Sequence, residues 1–229
     1  MDRDFGGCGE TRKNSGKELQ EDGAIEPELY KDEKTKYKIV HLLKEPKGKT
    51  KHNSIVEAIR RNDINDADGT VKGKQHKVTA RRSYCILNKF PSWLDICKKE
   101  NMFADALKRS AIVNLSPEPG DKSTSGKRLE RLAKEGKPWW YDQKLKEELK
   151  PTIVICGGTF KAAIRQIAGA SDKLQHASTG MDYFMDEELG AVFLDCWHPA
   201  FRSRHPVEYC YFRESCKDII TKSPSGAGG

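Results

Sequence analysis

Three polar residues stand where an apolar run gives way to a turn, and each carries a different hydrogen-bonding chemistry. His198 follows Ala191-Val192-Phe193-Leu194-Asp195-Cys196-Trp197 and precedes Pro199-Ala200-Phe201-Arg202-Ser203-Arg204. The apolar run reads as a buried strand, so the histidine sits at its carboxyl end. Ligands of open α/β sheets bind at that edge, and the two arginines beside it suit an anionic partner. Asn114 ends Ala111-Ile112-Val113, and a carboxamide offers a donor and an acceptor in fixed geometry, matching the edge of a nucleobase. Glu45, followed by Pro46-Lys47-Gly48, brings a carboxylate to the end of the run Tyr37 to Leu43. Gly157-Gly158-Thr159 follows Thr152-Ile153-Val154-Ile155-Cys156 and opens a helix, whose N-terminus suits a phosphate. It lacks the Lys-Ser/Thr ending of a phosphate-binding loop and the spacing of a dinucleotide fingerprint. Each of these stretches also has a plain structural reading as a turn, for which Pro, Gly and Asn are the expected residues.

The elements that must position these residues follow from hydrophobic periodicity. Residues 1–35 are poor in apolar side chains and read as a flexible N-terminal arm; residues 36–222 form one domain, and 223–229 a disordered tail. Strands are predicted at 37–43, 111–113, 152–156, 183–185 and 191–197. Helices are predicted from Asn53 or Ser54 through Ile59, over most of Val78 to Leu107, over 127–135 and 140–149 with a break at Gly136-Lys137-Pro138, over 160–168 and over 207–221. The polar stretch Asn62 to Lys77 reads as an exposed loop, and Arg81-Arg82 as a small basic patch. Trp139-Trp140-Tyr141 can stack bases or pack two helices together. The order strand, helices, strand, helices, strand, helix, hairpin, helix predicts an α/β fold, a three-layer αβα sandwich with a small, mostly parallel central sheet. In such a sheet the ends bearing Glu45, Asn114 and His198 converge on one edge.

The chain has 229 residues, a net charge of +7 and 33% charged residues, a balance that suits a nucleic-acid partner. No apolar run approaches the roughly 18 residues of a spanning helix, and the polar start Met1-Asp2-Arg3-Asp4 has no signal-peptide core, so a soluble, cytoplasmic protein without a membrane partner is expected. The seven cysteines, at 8, 85, 97, 156, 196, 210 and 216, are odd in number and form no C-x-x-C pair. They read as reduced thiols, several inside apolar runs. An iron–sulfur cluster on Cys8, Cys85, Cys97 and one more is the alternative, which the spacing does not call for. No metal or cofactor is expected, and the chain is expected to be a monomer.

Taken together, Lys44-Glu45-Pro46-Lys47-Gly48, Val113-Asn114-Leu115 and His198-Pro199-Ala200 resemble, in type and order, the motifs of the uracil-DNA glycosylase superfamily. The resemblance spans about residues 37 to 220 and includes the strand and glycine turn Pro151 to Gly158. It implies that Glu45 orients the hydrolytic water and steadies positive charge on the sugar, that Asn114 reads the flipped base, and that His198 donates a hydrogen bond to a base carbonyl. It further implies that Arg202, or Phe201 in its place, wedges into the DNA stack, and that Arg204, Lys47, Lys49, Lys51 and the turn Gly157-Gly158-Thr159 meet phosphates.

The departures from the pattern bear on the base. Lys47 stands where uracil-specific members often place a bulky aromatic that blocks carbon 5, and Ala200 replaces a common serine. No aromatic occurs between Glu45 and Tyr84, so the base-stacking ring is missing, with His52 or Tyr84 as substitutes. The resemblance therefore implies a monofunctional DNA glycosylase for a modified pyrimidine, such as a bulky carbon-5-modified cytosine (hydroxymethylated or glucosylated) of phage DNA, in antiviral defence. Uracil excision in base-excision repair, and a non-catalytic DNA-binding member of the fold, are the alternatives. A nucleotide-binding enzyme built on the Gly157-Gly158-Thr159 turn is a third class.

Overall fold

The computed structural model describes residues 22–44, 55–61, 71, 73–118, 125–167, 171–199 and 205–222. Glu45, Lys47, His52, Phe201, Arg202 and Arg204 lie outside the described residues, as do the first 21 residues and the tail 223–229.

The four strongest apolar runs form four adjacent parallel strands, β2 (Ile39–Leu43), β3 (Ser110–Asn114), β4 (Ile153–Gly157) and β7 (Ala191–Cys196), in the order β3-β2-β4-β7. Every residue of β2, β3 and β4 is buried, as expected for strands covered on both faces. Alternate side chains go to opposite cores. Ile39, Leu43, Ile112, Ile153, Ile155 and Leu194 lie on one face; Val40, Leu42, Ala111, Val113, Val154 and Phe193 lie on the other.

Helices cover both faces. The connection from β2 to β3 contains α2 (Ile55–Arg60), α3 (Lys74–Leu87), α4 (Trp93–Cys97) and α5 (Phe103–Lys108), which pack with the last helix, α8 (His205–Lys222), on the first face. The second face holds α6 (Gly126–Glu135), a π-helix (Pro138–Leu149) and α7 (Phe160–Ile164). The chain leaves β2 toward β3 and leaves β4 in the opposite direction, toward β7. The carboxyl ends of β2 and β4 therefore flank a topological switch point, where open α/β sheets form a crevice.

The layers agree with the sequence-based expectation, but the sheet is larger and mixed. It has seven strands, because β1 (Gly23–Ala24) adds antiparallel to β3, β6 (Asp182–Asp186) forms a hairpin with β7, and β5 (Gln175–His176) pairs antiparallel with β6. The hairpin closes through the acidic turn at Glu187-Glu188, where expected.

Residues 22–35, assigned to the arm from composition, belong to the fold. Besides β1 they form α1 (Pro27–Lys31), Ile25 and Tyr30 are buried, and the Tyr30 hydroxyl donates to the Leu149 carbonyl at 3.2 Å. Few apolar side chains suffice here because the ones present are fully covered. Within the expected loop of 62–77, Val71 is buried and α3 already begins at Lys74. The expected break at 136–138 is a junction between two helices. A Cβ on Gly136 would lie 1.9 Å from the Leu115 carbonyl oxygen, so this close approach of helix and strand end requires glycine. Among the described residues no helix is long and apolar enough to cross a membrane.

Candidate functional site at the carboxyl edge of the sheet

The strand ends are tied to one another by specific contacts. The Leu115 amide donates to the carbonyls of Leu43 (3.0 Å) and Lys44 (3.2 Å), which joins the end of β3 to the point where the chain departs toward Glu45. Beyond β4 the Gly158 amide donates to the Cys196 carbonyl at 2.7 Å, joining the ends of β4 and β7. A Cβ on Gly157 would lie 2.7 Å from Leu43 Cδ2 and 3.0 Å from Pro199 Cδ. Gly158, at φ +70°, lies against His198, whose Cβ and backbone nitrogen would be 3.4 and 3.5 Å from a Cβ placed there. The two glycines thus let the turn after β4 sit flush between the end of β2 and the His198-Pro199 turn. Asn114, His198 and the take-off toward Glu45 share one edge.

This packing changes the reading of Gly157-Gly158-Thr159. Thr159 is fully buried and its hydroxyl donates to the Leu42 carbonyl at 2.8 Å, while the Gly158 N–H is spent on Cys196. The five-residue helix α7 is too short to build a strong dipole. The segment braces the edge, and its hydroxyl and the Gly158 amide are not available to a phosphate.

Asn114 is held by a residue the sequence did not single out. Asp22, buried beside β1, accepts the Asn114 backbone N–H at 2.8 Å through Oδ2 and the Asn114 side-chain N–H at 2.5 Å through Oδ1. Burial pushes the Asp22 carboxyl up to about 6, against the hydrogen bonds from Asn114, a contribution from the neighbouring Trp139 indole, and the Lys144 charge, all of which favour the carboxylate. Lys144 is itself buried, pairs with Glu148 at 2.6 Å and lies over the Trp139 ring at 4.8 Å. No signal in the sequence pointed to Asp22, because it precedes a two-residue strand in a polar stretch.

His198 is half-buried and is positioned through its neighbour. Arg82, on α3, donates to the Trp197 carbonyl at 3.0 Å and pairs with Glu208 of α8 at 2.7 Å. Arg82 is 4% exposed and lies over the Phe212 ring, so it is an internal strut and not part of a basic surface patch. Arg81 is also drawn inward, over the rings of Trp93 and Phe103. Trp197 is 56% exposed and stacks on Tyr211, with ring centroids 6.3 Å apart and planes 13° from parallel. A cavity of about 120 Å³ opens beside it, lined by Arg82, Asp182, Asp195, Trp197, Glu208 and Tyr211. Burial, and the Asp182 carboxylate on the neighbouring strand, push the Asp195 carboxyl up to about 6.

Tyr84 is not at this edge. It packs against Phe103 (centroids 5.5 Å apart), and it lines a cavity with Lys36 and Tyr37, which precede β2 at the amino end of the sheet. Tyr84 is buried and leaves α3 two residues past Arg82, about 200° around the helix from it, so its ring faces this cavity and not the turn after β7. Trp140 and Tyr141 are buried in the second core, and the Trp140 indole donates to the Ala133 carbonyl at 2.9 Å. They pack α6 against the π-helix. The six described cysteines are free thiols, and burial pushes Cys196, at the end of β7, up to about 12.

The edge therefore offers an immobilised carboxamide, an imidazole on a braced turn, and an exposed aromatic platform, next to the point where the chain departs toward Glu45. No family model matches the chain, nor does any curated protein or solved structure.

Proposed function

We propose that the protein is a monofunctional DNA glycosylase that hydrolyses the N-glycosidic bond of a modified pyrimidine held out of the DNA stack. The observation that carries this reading is the meeting of Asn114, His198 and the end of β2 at one switch-point edge. In the proposed mechanism the bond between C1′ and the base breaks, the electron pair leaves with the base, and water adds to C1′. Glu45 orients that water, takes up its proton and offsets the positive charge on the sugar, while His198 donates a hydrogen bond to the base carbonyl on which negative charge develops. Asn114 recognises the base edge.

The proposed substrate is a cytosine bulky at carbon 5, of the hydroxymethylated or glucosylated kind, because Lys47 replaces the aromatic that would close that side of the pocket. Arg202, Phe201 and Arg204 follow His198 closely in sequence and are proposed to meet the opened stack and its phosphates. Trp197 adds a stacking surface on the same edge.

Glu45→Gln tests the assignment. It should reduce base release by about 10²- to 10⁴-fold, the usual worth of a positioned acid–base group, with DNA affinity within a fewfold of the parent in a binding titration. Equal loss of release and affinity would contradict the role given to Glu45.

A further inference from the structure

We propose that Asp22 is a positioning residue of this site, whose carboxylate fixes the Asn114 amide with its nitrogen turned away and its oxygen left to receive an N–H from the bound pyrimidine. The substrate half of the inference rests on the glycosylase reading; the lock rests on geometry alone. Both Asp22 oxygens are spent on Asn114, one on its backbone N–H at 2.8 Å and one on its side-chain N–H at 2.5 Å. An ionised carboxylate can only accept, so rotating the amide by a half turn would set oxygen against oxygen. Asn114 Oδ1 makes no hydrogen bond to any described residue. An acceptor so presented selects a base edge that offers an N–H, the exocyclic amino group of a cytosine or the ring imino group of a uracil.

The lock is itself held firmly. Gly23 and Ala24 pair with Ile112 and Ala111 of β3, and the Arg60 guanidinium of α2 donates to the carbonyls of Ala24 (2.8 Å) and Ile25 (2.6 Å). The groups facing Asp22 from the π-helix are the Lys144–Glu148 pair and the Trp139 indole. Lys44 follows β2 at the same edge, where its carbonyl accepts the Leu115 amide. Of these, the Lys144 charge favours the ionised form.

Burial raises the Asp22 carboxyl to about 6, which keeps it ionised and the lock closed at pH 7.5 and lets the lock open as the pH falls below that value. A protonated Asp22 can donate to Asn114 Oδ1, which turns the amide and presents the wrong group to the base.

The test combines a structural and a catalytic readout on the full chain. The side-chain ¹⁵N–¹H₂ signals of Asn114 are assigned by their loss in Asn114→Ser and followed from pH 8 to 5 in the parent and in the near-isosteric Asp22→Asn. The parent signals should move with a midpoint near pH 6 and those of Asp22→Asn should not. At pH 7.5, Asp22→Asn should release base from hydroxymethylcytosine-containing DNA about 10- to 100-fold more slowly, with DNA affinity unchanged, and the part of the acidic limb centred near pH 6 should be lost from its rate profile while the limb set by Glu45 remains. Asn114 signals that ignore pH overturn the lock, and unimpaired release by Asp22→Asn overturns the positioning role. If the parent releases no base from any DNA, the glycosylase reading falls, and the amide titration alone decides the lock.

Discussion

Two buried ionisable groups, one on β2 and one just before β1, push the pH dependence of stability in opposite directions. His41 lies on β2, with Nε2 2.8 Å from the Ser83 hydroxyl and Nδ1 unpartnered among the described residues. Burial, reinforced by the Arg82 charge, lowers its imidazole to about 3. The unfolded chain takes up a proton at this position below about 6.5 and the folded chain does not, so His41 costs stability as the pH falls, about 2 kcal/mol by pH 5. Asp22, raised to about 6, works the other way: the folded state binds its proton first, and stability is gained as the pH falls from 7 toward 4. His41→Asn should therefore flatten the loss of stability between pH 6.5 and 5, read from urea unfolding at a series of pH values. An unchanged slope would show that His41 does not titrate on unfolding. At this scale Asn114 and His198 were legible because each ends an apolar run, which fixes its place in a sheet before the sheet is known. Asp22 and Arg82 were not, since burial of the first depends on a two-residue strand and burial of the second on Glu208, 126 residues away.

Elements declare themselves in the sequence when their own side chains form both cores, as the β-branched runs of β2, β3, β4 and β7 do. β1 and β5, two residues each, carry no periodic signal and exist because a neighbouring strand offers an edge to pair with. Tyr84 lies elsewhere for a related reason: only two residues separate it from Arg82, but the two side chains leave α3 on opposite sides. The interlock of α3, α8 and the turn after β7 through Arg82 is the element-level feature most open to test. Arg82→Met leaves the Glu208 carboxylate unpaired in a site where its side chain is 12% exposed, and should cost about 3–5 kcal/mol in chemical denaturation. Arg82→Met with Glu208→Leu should recover most of that stability, yet base release should stay depressed because the Trp197 carbonyl has lost its donor. Recovery of release along with stability would remove the positioning role of Arg82.

For the whole molecule, the sheet order and the two helical layers explain how residues 44, 114 and 198 come to share one edge although some seventy to eighty-five residues separate each from the next in the chain. The layers were readable from alternating strands and helices. The hairpin of β6 and β7 was readable too, but the two-residue antiparallel additions β1 and β5 were not, because they enlarge the sheet without adding a long apolar run. The net charge of +7 matches a polyanionic partner at the scale of the whole surface, although two of the arginines that contribute to it are turned inward at Arg81 and Arg82. The central claim is catalytic, and release of free base is the measurement that reaches it most directly. Mass spectrometry after incubation with uracil-containing DNA, unmodified DNA and phage DNA bearing hydroxymethylated or glucosylated cytosine should show the modified cytosine released from the phage DNA, and nothing from unmodified DNA. No base released from any of the three, with DNA binding intact, would contradict the account.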